Sequence, residues 1–193
     1  TKQNKKVFNF VRLNIYPDGG VARLKLLGNL DVSKLKFPNK KFDLLSVLNG
    51  SKIVACSDEH FGKAENLLLP FKSKNMGNGW ETRRRRGIGF DWVIIKLGKP
   101  GIIENFDIQT HYFKGNYPSF CSVQSFFSNT NININSIVSS SKKWEYLIKN
   151  LELKPHSSIK KQLSKKSKKI NYIKLNIYPD GGISRIRSIG KIL

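Results

Sequence analysis

Asn171 to Ile192 reads NYIKLNIYPDGGISRIRSIGKI, and Asn9 to Leu30 reads NFVRLNIYPDGGVARLKLLGNL, the same pattern 162 residues earlier with 11 of 22 positions identical. In the later copy Ile173, Leu175 and Ile177 alternate with Lys174 and Asn176, and in the earlier one Val11, Leu13 and Ile15 alternate with Arg12 and Asn14. A period of two with one apolar face is the signature of a half-buried strand. Pro17, Asp18 and Gly19, repeated as Pro179, Asp180 and Gly181, suit a type I turn followed by a left-handed glycine. Each copy is therefore expected to be a β-hairpin, with Asp18 and Asp180 serving the turn. A spacing of 162 residues is the size of a domain and too long for a solenoid repeat.

Between the copies, short apolar runs alternate with turn residues. Lys52–Cys56 is rich in β-branched and apolar residues. Phe90–Leu97 is continuously apolar, as a buried strand should be, and Gly98-Lys99-Pro100-Gly101 reads as a turn. Ile102–Thr110 and Cys121–Phe127 follow as strands, and Trp144–Leu153 suits a strand or a short helix. Helical signals are few. Asp43 can cap Leu44–Leu48, which Gly50 can end in a left-handed cap, and Ala64–Leu69 suits one helical turn or a loop before Pro70. Ser128–Ser141 is polar and weakly determined. The fold expected is all-β, an antiparallel sandwich or jelly roll with one or two short helices. Its boundaries are a hairpin over residues 1–30, a basic linker over 31–42 and a jelly-roll domain over 43–193.

The 193 residues carry 35 Lys and Arg against 13 Asp and Glu, a net charge of +22. The excess lies in surface stretches such as Lys160–Lys169 rather than on one groove-reading helix, and no motif interleaves it with aromatics, so nucleic acid is not the expected partner. Cys56 and Cys121 match no metal or redox spacing and read as reduced thiols. With no apolar run of membrane-spanning length and no leader at Thr1, a soluble cytoplasmic protein is expected.

Two stretches carry more than folding requires. Ser57-Asp58-Glu59-His60-Phe61-Gly62 places two acids and a histidine where a strand ends. Gly79 to Trp92 (GWETRRRRGIGFDW) sets four consecutive arginines between glycines and tryptophans, with Glu81 and Asp91 as nearby counter-charges. If this stretch is extended, Glu81, Arg83 and Arg85 share one face while Trp80, Thr82, Arg84 and Arg86 share the other. A carboxylate beside two guanidinium forks can hold a urea-like or carboxylate-bearing molecule.

The segments Val54–Gly62, Asn75–Gly87, Phe90–Ile95, Phe113–Pro118 and both copies of Asn-Ile-Tyr-Pro-Asp-Gly-Gly resemble the allantoicase family, in the family's order along almost the whole chain. The resemblance implies a galactose-binding-like jelly roll, normally present twice per chain, and hydrolysis of allantoate to ureidoglycolate and urea. The chain is expected to begin at the closing hairpin of a first repeat that is otherwise absent. Allantoate bears one carboxylate and two ureido groups on a single carbon, so an anion anchor and proton-transfer groups are needed. Arg83 and Arg85, with Arg84 as a third candidate, suit the anchor. Glu81, Asp58, His60 and His111 suit proton transfer, because burial and neighbours tune these types toward neutral pH. Asn116 and Tyr117 are candidates to hydrogen-bond the ureido groups. Asp58, His60, Glu81 and His111 are also metal-ligand types, but their spacing selects no metal, and neither metal nor cofactor is expected. Allantoate as small-molecule partner and a homo-oligomeric state complete the expectation; the alternative is a non-catalytic jelly-roll module binding a small anion or carbohydrate.

Overall fold

The computed structural model describes residues 7, 8, 10–26, 28, 30–37 and 40–193. Its spine is the 19-residue strand β4 (Asp91–Gln109), which takes part in both layers of a sandwich. The strands before it are β1 (Phe42–Asp43), β2 (Lys52–Cys56) and β3 (Trp80–Glu81). After it come β5 (Phe120–Phe126), β6 (Glu145–Glu152), β7 (Ser158–Gln162), β8 (Ile170–Tyr178), β9 (Gly182–Ile183) and β10 (Arg185–Ile192). The first part of β4, Asp91–Lys96, pairs antiparallel with β2 and β8, and β5 and β6 extend that layer from β8. The second part, Gly101–Gln109, pairs with β7 and β10, and β1 closes that layer beyond β10. The expected turn at Gly98–Gly101 is thus a bend inside one strand, marked by a register shift between Lys96 and Gly101.

The antiparallel sandwich expected from the short apolar runs is what forms. The inward faces of both layers meet in one core, including Val93 and Ile95, Phe106 and Ile108, and Ile173, Leu175 and Ile177, none of them accessible to solvent. Burying a Leu, Ile or Phe side chain is worth roughly 1.5–3 kcal/mol, so this face supplies the main drive to fold.

The duplicated segment is not a hairpin. In the later copy β8 lies between β4 and β5, while β10 lies between β4 and β1, so its two arms belong to different layers. The connection crosses the sandwich end through a cis Tyr178–Pro179 bond rather than the expected type I turn, with Gly181 at φ 122°. In the earlier copy Asn9, Leu27 and Asn29 lie outside the described residues, and the described ones form no helix or strand. Leu13 and Ile15 are 49% and 45% exposed, whereas their counterparts Leu175 and Ile177 are at 0%. A near-identical pattern forms strands only where neighbouring strands accept its backbone and its apolar face.

The one α-helix among the described residues, α1 (Ile134–Ser140), sits in the stretch that looked undetermined. The Asn133 side chain caps it by accepting the Ser136 N–H at 2.8 Å, and Ile137 buries its apolar side. The helix expected at Asp43–Gly50 is a 3-10 turn, Val47–Asn49, capped by Ser46 and ended by left-handed Gly50. Asp43 belongs to β1, Ala64–Leu68 is a further 3-10 turn, and Trp144–Leu153 resolves as β6. In the 31–42 segment Val32–Lys34 forms a 3-10 turn and the Phe37 ring stacks on Phe42, 5.8 Å between centroids. No helix among the described residues is long and apolar enough to cross a membrane.

Candidate active site

The two-stranded ribbon of β3 and β9 forms one end of the sandwich and organises the acids around it. Trp80 is fully buried, and its indole N–H donates to the Asp58 carbonyl at 2.8 Å. Glu81 then faces outward, and its backbone exchanges hydrogen bonds with Phe61 and Gly62 at 3.2 Å, which holds the Ser57–Gly62 loop beside the strand. Phe113 packs over this ribbon so closely that a Cβ on Gly182 would lie 2.0 Å from its ring, and one on Gly79 2.7 Å from it. Only glycine fits between the ribbon backbone and that ring.

The arrangement gathers most of the sequence candidates. The Glu81 carboxylate accepts the Asn116 side-chain N–H at 2.5 Å, and the Asn116 carbonyl accepts the Gly182 N–H at 2.8 Å. Asn116 is therefore held by β9 while it holds Glu81. The Asp58 carboxylate accepts the Arg83 backbone N–H at 2.7 Å and lies 3.7 Å from the Arg83 guanidinium. Arg85 donates its backbone N–H to Asp180 at 2.7 Å and its guanidinium to Asp91 at 2.5 Å; the Ser57 hydroxyl donates to the same Asp91 oxygen at 2.9 Å. Of the face expected to hold Trp80, Thr82, Arg84 and Arg86 together, Trp80 and Thr82 are buried, and Glu81 and Arg83 of the other face are half-buried and exposed. Beyond Arg83 the alternation stops, because the ladder ends at Glu81 and residues 83–86 are all exposed. Arg84 and Arg86 make no hydrogen bond or ion pair among the described residues.

His60 is on the Asp58 loop, exposed, its ring edge-on to Phe61 at 4.5 Å. Glu59 serves structure: it accepts the Ala64 N–H and the Lys63 ammonium, and Lys63 holds its carboxyl below the usual range. The Tyr117 ring packs against the core. His111 stands at the end of β4 with His156, 5.6 Å between ring centroids, and His156 Nδ1 accepts the Tyr112 N–H at 2.8 Å. Burial, then His156, lowers the His111 pKa. Among the described residues no hydrogen bond or ion pair joins His111 to Glu81 or Asp58, and no group of three or more His, Cys, Asp and Glu is placed to hold a metal.

Sequence reasoning overlooked Asp180, Thr82 and Ser57. Asp180 looked like turn chemistry, yet its carboxylate reaches Arg85, while Thr82 exchanges two hydrogen bonds with Gly181. The signal available was the repeated Pro-Asp-Gly-Gly itself, whose contacts lie 95 and 99 residues away in sequence.

A galactose-binding-like β-sandwich with an acid- and arginine-bearing end loop system is the class these features define. The family 32 carbohydrate-binding module of Streptococcus pneumoniae EndoD shares the fold, with a TM-score of 0.56 at 12% identity over 78% of this chain and all of that one. The chain belongs to the family described as Allantoicase repeat, whose model matches residues 1–31 and 42–193. It is 45% identical over 193 residues to a probable allantoicase of Pseudomonas fluorescens (strain Pf0-1), covering 98% of this chain and 57% of the relative. A probable allantoicase of Acinetobacter baylyi is 40% identical over 194 residues, with 99% and 57% covered. The crystal structure of allantoicase from Saccharomyces cerevisiae superposes with a TM-score of 0.69 at 34% identity, covering 80% of this chain and 45% of that one. The chain thus spans 57% of the length of these curated relatives.

Proposed function

We propose that this chain supplies an allantoate-hydrolysing site, in which water displaces one ureido group from the central carbon of allantoate: a C–O bond replaces one C–N bond, a proton from the water passes to the departing nitrogen, and ureidoglycolate and urea leave. The observation that carries the reading is the Glu81 carboxylate, oriented by Asn116 at 2.5 Å, on a strand that runs straight into the arginine loop. With one carboxylate oxygen engaged by Asn116, the other is free to take a proton from water or return one to the departing urea nitrogen. Asp58, on the loop that the Gly62–Glu81 bridge ties to β3, is the second proton-transfer candidate, and its carboxylate accepts the His60 backbone N–H at 3.3 Å. The arginine loop anchors the substrate carboxylate: Arg83 is 68% exposed at its side chain, and Arg84 has no partner among the described residues. Arg85 is already held by Asp91 and Asp180 and in this reading fixes the loop.

The reading extends to the segment before the domain. Residues 1–30 are the closing segment of a preceding repeat, 31–42 connect, and 43–193 are the repeat that carries the site. The exposed Leu13 and Ile15, whose counterparts are core residues, support this. A cytoplasmic homo-oligomer is part of the same proposal; unpaired Cys56 and Cys121, with thiols pushed up to about 11 and about 12 by burial, suit a reducing compartment.

The test is urea release from allantoate by this chain, with Glu81→Gln, Asp58→Asn and Arg84→Ala variants. A positioned acid or base is worth roughly 10²–10⁴-fold, so Glu81→Gln should lose at least 100-fold in kcat, while Arg84→Ala should mainly raise KM. Full activity in Glu81→Gln overturns the assignment. Saturable allantoate binding with no urea from folded wild type replaces it with a non-catalytic module.

A further inference from the structure

A second site lies away from the acid-bearing end. The lysine run after β7 is not a solvated tail. Leu163 N–H donates to the Glu104 carbonyl at 2.9 Å, Ser167 N–H to the Ile103 carbonyl at 2.9 Å, and Ile103 N–H to the Ser167 hydroxyl at 2.8 Å. Lys166 is paired with the buried carboxylate of Glu104 at 2.9 Å. The loop is therefore pinned on the second half of β4. Between it and β6 runs a groove of about 550 Å³, inside the range of roughly 300–1,000 Å³ typical of small-molecule sites.

Its walls combine two chemistries. On one side stand aromatic rings: Trp144 stacked on Phe126 at 5.2 Å, and Tyr146, 46% exposed. On the other stand lysines, and these divide clearly. Lys168 pairs with Glu145 at 3.2 Å, and Lys169 sits 4.7 Å over the Phe127 ring. Lys143 and Lys165, facing the groove from the α1 side and the loop side, make no hydrogen bond, ion pair or ring contact among the described residues. Folding uses Lys166, Lys168 and Lys169 and leaves Lys143 and Lys165 without a partner among the described residues. Ammonium groups serve phosphate as point charges, and a half-exposed phenol ring offers a stacking face to a flat heterocycle.

We propose that this groove binds a small phosphate-bearing aromatic of mononucleotide size, its ring on Tyr146 and its phosphates between Lys143 and Lys165. The site is independent of the allantoate chemistry and is tested without it. ADP is the probe, titrated calorimetrically into this chain at fixed low salt, beside adenosine, inorganic phosphate and an oligouridylate. The expected result is one saturable ADP site per chain, with adenosine and phosphate each at least tenfold weaker. Lys143→Ala, Lys165→Ala and Tyr146→Ala, all changes at exposed or uncommitted side chains, should each weaken ADP by roughly tenfold, the loss of one charge-assisted or stacking contact. The double variant Lys160→Ala, Lys161→Ala on β7, outside the groove, should leave it unchanged. Failure of ADP to saturate overturns the proposal. Equal loss in the β7 control reduces it to bulk charge and overturns it too, and oligouridylate binding tighter than ADP reassigns the surface to nucleic acid.

Discussion

Replacing Gly182 by alanine should test how the candidate site is held together. The new methyl would lie 2.0 Å from two ring carbons of Phe113, where carbon atoms normally rest about 3.5–4.0 Å apart, so ring or ribbon must move by roughly 1.5–2 Å. Phe113 is fully buried and already meets Gly79 on the same ribbon, which leaves little slack. Overpacking of this kind costs typically 1–3 kcal/mol, and the rigidity of both partners puts this case at about 3 kcal/mol. For a chain of this length that corresponds to a Tm lower by roughly 6–12 °C. Denaturation should be run on Gly182→Ala, Phe113→Ala and the double variant. Phe113→Ala alone is destabilising, by about 3–5 kcal/mol, but it removes the obstacle. Adding Gly182→Ala to it should then cost under about 0.5 kcal/mol, giving a coupling of at least about 2 kcal/mol. Since Gly182 pairs with Glu81 and anchors Asn116, the single variant should also lose urea release beyond its loss of stability. A Gly182→Ala protein within about 0.5 kcal/mol of wild type, or one whose cost is the same in both backgrounds, refutes the packing argument.

Two further outcomes follow from the electrostatics. Arg85→Ala strips the buried Asp91 of its guanidinium partner and leaves it, among the described residues, the Ser57 hydroxyl as side-chain donor, so it should destabilise by about 2 kcal/mol; the one-third exposure of Arg85 keeps this below the cost of breaking a fully buried pair. Arg84→Ala should stay within about 0.5 kcal/mol by the same chemical denaturation, and equal effects of the two would refute the assignment of Arg85 as the fixed arginine. For His111 the folded-state pKa lies below the ordinary 6.5, so under acid the unfolded chain takes up a proton that the folded chain refuses. Stability should be full above about pH 6.5 and decline as pH falls through the window below it. His111→Gln should flatten that decline in urea midpoints measured across it, and equal slopes in wild type and variant would remove His111 as the cause.

The sequence by itself determined the strand content and the candidate chemistry. Period-two runs such as Ile173, Leu175 and Ile177 mark the face that enters the main core, because successive side chains of a strand point to opposite faces, but β8 is not the half-buried strand expected: its other face is covered as well, with Lys174 at 4% and Asn176 at 1% exposure. The motifs carrying Asp58, Glu81 and Asn116 are legible in the sequence as motifs. Tertiary structure alone decided pairing. The Tyr-Pro-Asp-Gly-Gly segment looks like a hairpin locally, but β4 bends between layers and takes one arm into each. Equivalent positions of the repeated pattern are core as Leu175 and Ile177 and exposed as Leu13 and Ile15, since a strand's stability comes from neighbours that local sequence does not contain. The site follows the same logic: residue types were readable from the chain, but Asp180 reaching Arg85 and Asn116 reaching Glu81 join segments 95 and 35 residues apart, and only closure of the sandwich end brings them within hydrogen-bond range.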